Sequence, residues 1–182
     1  MVLFPKSLSN LTFNELYDTH KDLVFNLCLN YLHNQEDAED ATQDIFVKIH
    51  QKLASFQRQS NLKTWVYRIG VNHCLDILKS RKRQKRFAFL TDLFFPNSSE
   101  LRHDTPTFDH PGILLERKEL MEKLFQQINQ LPSKQKTALI LTKLEQMSVK
   151  EAAEIMNQSP KSVESLLQRA KRNLGKSWRM KI

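Results

Sequence analysis

"SVKEAAEIMNQSPKSVESLLQRAKRNLGK", Ser148 to Lys176, decides the fold. Ser148 followed by Glu151 is a capping box, in which a hydroxyl and a carboxylate satisfy each other's backbone N–H groups. It predicts a short helix, "VKEAAEIMN". "QSP" then turns the chain. Ser159 suits the N-cap of a second helix and Pro160 its first turn. At about 100° per residue, Val163, Leu166, Leu167, Ala170 and Leu174 share one face of that helix. The opposite face carries Lys161, Ser165, Gln168 and Arg172, with Glu164 and Arg169 at its flanks. A short helix, a tight turn and a longer basic helix are the layout of a helix-turn-helix. Lys and Arg number seven from Lys161 to Ile182 against one acid, Glu164. Hydroxyl, amide and basic groups on one face can meet base edges and phosphates. The competing reading is an ordinary solvated helix face. Gly175 is the expected stop of this helix.

Upstream, Leu120, Leu124, Ile128 and Leu131 recur at helical spacing until Pro132, and Ser133 is expected to cap a helix through about Glu145. From Phe87 to Pro111 the periodicity fails. Three prolines and scattered serines there read as an interdomain linker. Its five phenylalanines are unusual for a linker and suggest that part of it docks.

The N-terminal half reads as three helices. Phe13, Leu16, Tyr17, Leu23, Val24, Leu27 and Tyr31 form the first apolar stripe, and "HNQED" breaks it. A second helix is expected from near Asp37 to about Leu53, on Ala38, Ala41, Ile45, Ile49 and Leu53. Glu36, Asp37, Glu39, Asp40 and Asp44 in its early turns suit the positive end of the helix dipole. The third helix lies within "NLKTWVYRIGVNHCLDILKSRKRQKR", Asn61 to Arg86. Val66, Ile69, Gly70, Cys74 and Ile77 turn one way. Arg68, Asn72, Asp76 and Lys79 turn the other, with Trp65 at their edge. Trp65 can be partly buried core beside an Arg68–Asp76 pair, or part of a surface that stacks a base and holds its phosphate. "KSRKRQKR" then places six basic residues in eight positions, a run suited to backbone phosphates.

The expected fold is all-α: two small helical domains, 1–86 and 112–182, joined by a flexible linker, 87–111, with the helix-turn-helix in the second. Few Gly and Pro (three and six in 182 residues) and 40% hydrophobic residues suit this. A net charge of +8 and a pI near 9.5 bias the partner toward an anion. Cys28 and Cys74 are far apart in sequence and imply no disulfide framework. The first ten residues do not read as a signal peptide, and no window approaches 18 uninterrupted apolar residues. A cytoplasmic protein without membrane insertion is expected. No metal or cofactor is expected. His20, His33, His50, His73, His103 and His110 form no i, i+4 pair with acidic support. Nor is there a Gly-rich phosphate loop or a nucleophile elbow, so an enzyme is not expected.

Three blocks, "DAEDATQDIFVKIHQKLASF", "LKTWVYRIGVNHCLDILKSRKR" and "LPSKQKTALILTKLEQMSVKEAAEIMNQSPKSVESLLQRAKRNL", occur in that order. Together they resemble the bacterial RNA polymerase sigma factors of the extracytoplasmic-function group, a branch of the sigma-70 family. The resemblance implies a factor that binds core RNA polymerase, through the clamp of its largest subunit and its flap, and directs it to promoters. It implies that Asp40, Gln43, Asp44 and Val47 bind polymerase, a role that DNA binding could not give an acidic helix. Residues implied at the melted non-template strand of the minus-ten element are Phe56, Arg58, Asn61, Trp65, Arg68, Asn72, Lys79, Arg81 and Arg83. A base out of the stack can be held there by stacking and by its Watson–Crick edge. Residues implied at the minus-thirty-five duplex are Lys161, Ser162, Glu164, Ser165, Gln168, Arg169 and Arg172. Glu164 stands where the family often carries a basic residue. A carboxylate there can accept from a cytosine amino group and is repelled by phosphate. Leu166 replaces an arginine and is expected to pack. An anti-sigma protein is a further partner that the resemblance implies.

The alternative is a stand-alone helix-turn-helix regulator whose N-terminal helices dimerise or bind a ligand. Such a repressor would bind a palindromic duplex unaided, whereas a sigma factor binds well only with core polymerase.

Overall fold

The computed structural model describes residues 12–54, 56, 61–94 and 115–179. Seven α-helices follow one another, and there is no strand among the described residues. α1 (Phe13–Leu32), α2 (Gln35–Leu53) and α3 (Leu62–Phe94) form an N-terminal unit. α4 (Leu115–Gln130), α5 (Ser133–Leu139), a π-helical segment (Ile140–Leu144), α6 (Val149–Met156) and α7 (Pro160–Arg179) form a C-terminal one.

Local chemistry sets most helix starts. Thr12 and Glu15 make a capping box at α1, with the Glu15 N–H donating to Thr12 Oγ1 (3.3 Å) and the Thr12 N–H to Glu15 Oε2 (3.0 Å). His33 ends α1 in the left-handed region (φ 60°), and Asn34 caps α2 by accepting from the Asp37 N–H at 2.8 Å. Two residues therefore reverse the chain, and α1 and α2 pack side by side. α3 crosses α1 at Gly70, where an added Cβ would stand 2.8 Å from Leu27 Cδ2. Val24, Leu27, Ile45, Ile49, Val66 and Cys74 are fully buried between the three helices.

In the C-terminal unit the Ser148–Glu151 capping box opens α6, with the Glu151 N–H donating to Ser148 Oγ at 3.2 Å. Asn157 closes α6 at φ 51°, and Ser159 Oγ accepts from the Ser162 N–H at 3.2 Å to cap α7. α6 and α7 are the expected helix-turn-helix. Val163, Leu166 and Ala170 are buried, so Leu166 packs as its place on the wheel requires.

Several boundaries differ from expectation. α3 runs on through Phe94, eight residues past Arg86, so the stretch read as linker opens as helix. Residues 87–94 contain neither Gly nor Pro; Pro96 disfavours helix at the residue before it, close to the observed end. Ser133 lies inside α5 rather than at its cap, which is Pro132 at φ −53°, ψ 141°. The helix expected through Glu145 widens at Ile140 into a π turn. α7 passes through Gly175 to Arg179. No proline follows Gly175, and glycine inside a helix costs only about 1 kcal/mol relative to alanine. The remainder of the expected linker, 95–111, lies outside the described residues.

The two units pack on each other. The Tyr31 hydroxyl donates to Thr137 Oγ1 (3.0 Å), the Lys136 amine donates to the Tyr31 carbonyl (3.1 Å), and the His33 ring lies 4.3 Å from that of Phe125. One core cluster runs from α1 through α3 into α5, α6 and α7. Cys28 and Cys74 meet inside it as free thiols, their Sγ atoms 3.8 Å apart. The hydrogen bond from Cys74 to Cys28, together with burial, raises the Cys74 pKa well above the ordinary thiol value.

Candidate nucleic-acid interface

The polar side of α3 begins at its capping loop. Asn61 Oδ1 accepts from the Lys63 N–H (3.0 Å), and the Asn61 carbonyl accepts from the Trp65 N–H (3.0 Å). Trp65 is half-buried and stacks at a tilt on Phe56, ring centroids 4.8 Å apart. Trp65, Arg68, Asn72, Lys79 and Arg83 follow at helical spacing along one side. Asn72, Lys79 and Arg83 are exposed, and Lys79 stands 3.4 Å from Asp76. Arg58 lies outside the described residues. Two further basic residues are engaged within the protein. Arg81 is bonded to the Asp37 carboxylate at the start of α2. Arg68 does not pair with Asp76: its guanidinium donates to the Glu154 carbonyl of α6 at 2.8 Å, and its buried Nε has no partner.

On α7, Lys161, Glu164, Gln168, Arg169 and Arg172 are exposed and form one face. Ser162 is half-buried, its hydroxyl donating to Gln158 Oε1 in the turn (3.2 Å), and Ser165 Oγ accepts from Arg169 (3.0 Å). The two serines thus belong as much to the turn and the helix as to the outer surface.

α2 presents a surface of different character. Asp40, Gln43, Asp44 and Val47 lie at i, i+3, i+4 and i+7 and are all exposed, Val47 by 56%. Beside them an apolar groove of about 390 Å³ is lined by Phe13, Tyr17, Gln43, Phe46, Val47, His50 and Gln51. Acids bordering an apolar groove suit a protein partner; phosphates would be repelled. The groove was not legible beforehand, because Tyr17 fits the buried stripe of α1 yet is 41% exposed.

Behind α2 stands His73, buried at the edge of the α3 polar side. Lys48 Nζ lies 2.5 Å from its Nδ1, and its Nε2 faces Asp44 at 3.4 Å. Burial and the Lys48 charge lower the His73 pKa, more than the Asp44 and Asp76 carboxylates raise it. The His73 Nε2 atom is buried and makes no hydrogen bond among the described residues. Among the described residues no group of three His, Cys, Asp or Glu could hold a metal ion. None of the described helices is long and apolar enough to cross a membrane.

Comparison with known proteins finds matches to both helical units. The family model for sigma-70 region 2 matches residues 16–84, and that for sigma-70 region 4 matches residues 121–174. The chain is 31% identical over 163 residues to the RNA polymerase sigma factor YlaC of Bacillus subtilis, covering 90% of each chain. It is 29% identical over 171 residues to the ECF RNA polymerase sigma factor SigW of the same organism, covering 92% of this chain and 89% of SigW. Its fold is similar to that of CnrH in complex with the cytosolic domain of CnrY (TM-score 0.62, 21% identity, 92% and 88% covered). It is equally similar to the sigma factor RpoE bound to the anti-sigma factor NepR from Bartonella quintana (TM-score 0.62, 22% identity, 92% and 96% covered). The chain belongs to the sigma-70 family of RNA polymerase sigma factors, within the extracytoplasmic-function group. It is a promoter-directing initiation factor.

Proposed function

We propose that each surface has one task in initiation and that the chain performs no catalysis of its own. Asp40, Gln43, Asp44 and Val47, with the adjoining groove, bind core polymerase in the cytoplasm. The region around Phe56, Arg58, Asn61, Trp65, Arg68 and Asn72 captures the melted non-template strand of the minus-ten element, and Lys79, Arg81 and Arg83 follow its phosphates. Residues 1–86 carry both tasks. Residues 112–182 place α7 on the minus-thirty-five duplex. Lys161, Arg169 and Arg172 meet phosphates or guanines there. Ser162, Glu164, Ser165 and Gln168 meet base edges. Trapping an unstacked base offsets part of the cost of opening the duplex, so no nucleotide hydrolysis is required.

The observation that carries this reading is the segregation of charge: an acidic face with an apolar groove on α2, and separate basic faces on α3 and α7. Single-strand and duplex DNA suit the basic faces; a protein suits the other. An anti-sigma protein competing for these surfaces is a further partner, by analogy with the two complexes of similar fold.

Run-off transcription with purified core polymerase on a genomic promoter library tests the assignment. Asp40→Lys with Asp44→Lys should weaken core binding at least tenfold. Asn72→Ala should bind core normally and open promoters more slowly. Unchanged core affinity in the first variant would remove α2 from the polymerase interface.

A further inference from the structure

The polar side of α3 does not end with the minus-ten residues. At about 100° per residue, Asn72, Lys79, Lys82, Arg83 and Arg86 fall within one arc of about 100°. All five are exposed. Arg81 turns away from this arc and is bonded to Asp37 of α2, which fixes the arc on the outer side of the helix. The helix continues unbroken to Phe94.

Lys82 and Arg86 lie outside the minus-ten set, and among the described residues neither forms an ion pair. Like charges stand three or four residues apart along the arc: Lys79 with Lys82 and Arg83, and Arg86 with Lys82 and Arg83. Such pairs repel and weaken a free helix. A row of phosphates turns the same spacing into attraction. We propose that Lys82 and Arg86 form a docking surface for the paired DNA immediately upstream of the minus-ten element. This rests on the two-element reading of the promoter given above.

Direction and reach pick out that duplex. From α3 the chain runs on to the unit that takes the upstream element, so the C-terminal end of α3 points upstream. From Asn72 to Arg86 the helix rises about 21 Å, at about 1.5 Å per residue. That length matches about six base pairs at about 3.4 Å each. With Asn72 at the melted strand, Lys82 and Arg86 overhang DNA whose strands are still joined. Duplex DNA carries about one negative charge per 1.7 Å of axis, so it suits a row of cations without regard to sequence. An anionic membrane is another surface that a basic helix can meet. A helix lying on a membrane needs an apolar face opposite its cations. Opposite Lys82 and Arg86 stand Gln84 and Lys85, both exposed.

The experiment measures binding of the full chain, assembled with core polymerase, to two forked promoter fragments. Both carry the minus-ten element with its strands open, and neither carries the minus-thirty-five element. One ends at the upstream edge of the minus-ten element. The other adds one turn of paired DNA, about ten base pairs. Wild type should bind the longer fragment more tightly. Lys82→Gln with Arg86→Gln should lose at least about tenfold in affinity for it near 0.1 M salt, and the slope of log affinity against log salt should become shallower by about 2. On the shorter fragment this variant should equal wild type. Lys85→Gln removes a charge outside the arc and should match wild type on both. Glutamine is a good helix former, so α3 is kept in each variant. Equal binding of the double variant and wild type to the longer fragment would overturn the proposal. So would a loss of the same size on both fragments. A loss as large in Lys85→Gln would reduce the effect to net charge and overturn it too. Sedimentation with phosphatidylglycerol vesicles that requires Lys82 and Arg86, with DNA binding unchanged, would replace the duplex by a membrane surface. If wild type with core polymerase binds neither fragment, the promoter reading itself fails and the duplex site fails with it.

Discussion

Lys136 is a cation placed where the fold disfavours charge. It is 3% exposed, with its amine 3.1 Å from the Tyr31 carbonyl, 2.5 Å from Asn129 Oδ1 and 5.4 Å from the centre of the Tyr31 ring. Burial lowers its pKa from 10.5 to about 8. The unfolded chain therefore binds more protons than the folded one between about pH 8 and 10.5, and stability rises with pH across that window. Below pH 8 the cost of burying the charge is present in full. Cys74 and Tyr31, raised by burial and, for Cys74, by its bond to Cys28, oppose this at high pH, so the comparison must be with a variant that keeps both. Relative to Lys136→Met, wild type should gain up to roughly 3 kcal/mol from pH 8 to 10.5 in urea titrations, at about 1.4 kcal/mol per pH unit. A constant difference would show that the amine is solvated. Residue by residue, legibility followed locality. Ser148, Glu151, Ser159 and Leu166 were readable because their partners lie within a turn or on a wheel. Lys136, His73 and Arg68 were not, because a polar side chain on a helix reads as surface unless its distant partner is known. The partner of Arg68 is 86 residues away.

At the scale of elements, helix starts were more legible than helix ends. A hydroxyl or amide at the N-cap satisfies specific orphan donors, whereas Gly175 marks a stop only if the chain takes the left-handed conformation there. No glycine among the described residues has positive φ; His33, Gln146 and Asn157 hold those positions instead. Gly70 is required for a different reason, the close crossing of α3 over α1. Gly70→Ala should gain up to about 1 kcal/mol of helix propensity and lose about 1–3 kcal/mol to overpacking against Leu27. Leu27 is fully buried and Ile45 Cδ1 lies 3.8 Å from the added Cβ, so the methyl has little room to move aside. The net expectation is a loss of about 1 kcal/mol in chemical denaturation, with core polymerase affinity unchanged. A gain in stability would mean that Leu27 rotates away freely.

For the whole molecule, two helical units were legible and their union was not. Periodicity reports which face of a helix is apolar, but not which unit will cover it. Tyr31 illustrates this: it belongs to the expected stripe of α1, yet its hydroxyl is satisfied by Thr137 of α5, with both side chains buried. Because one core cluster spans both units, unfolding should be shared between them. Tyr31→Phe removes the donor, keeps the ring, and leaves the Thr137 hydroxyl without that partner. The cost should be about 1–2 kcal/mol. If the units are coupled, amide exchange in Tyr31→Phe should quicken in α5 and α6 as well as in α1, and urea unfolding should remain a single transition. Exchange confined to α1 would make the hydroxyl pair a local contact, and the two units would then unfold independently.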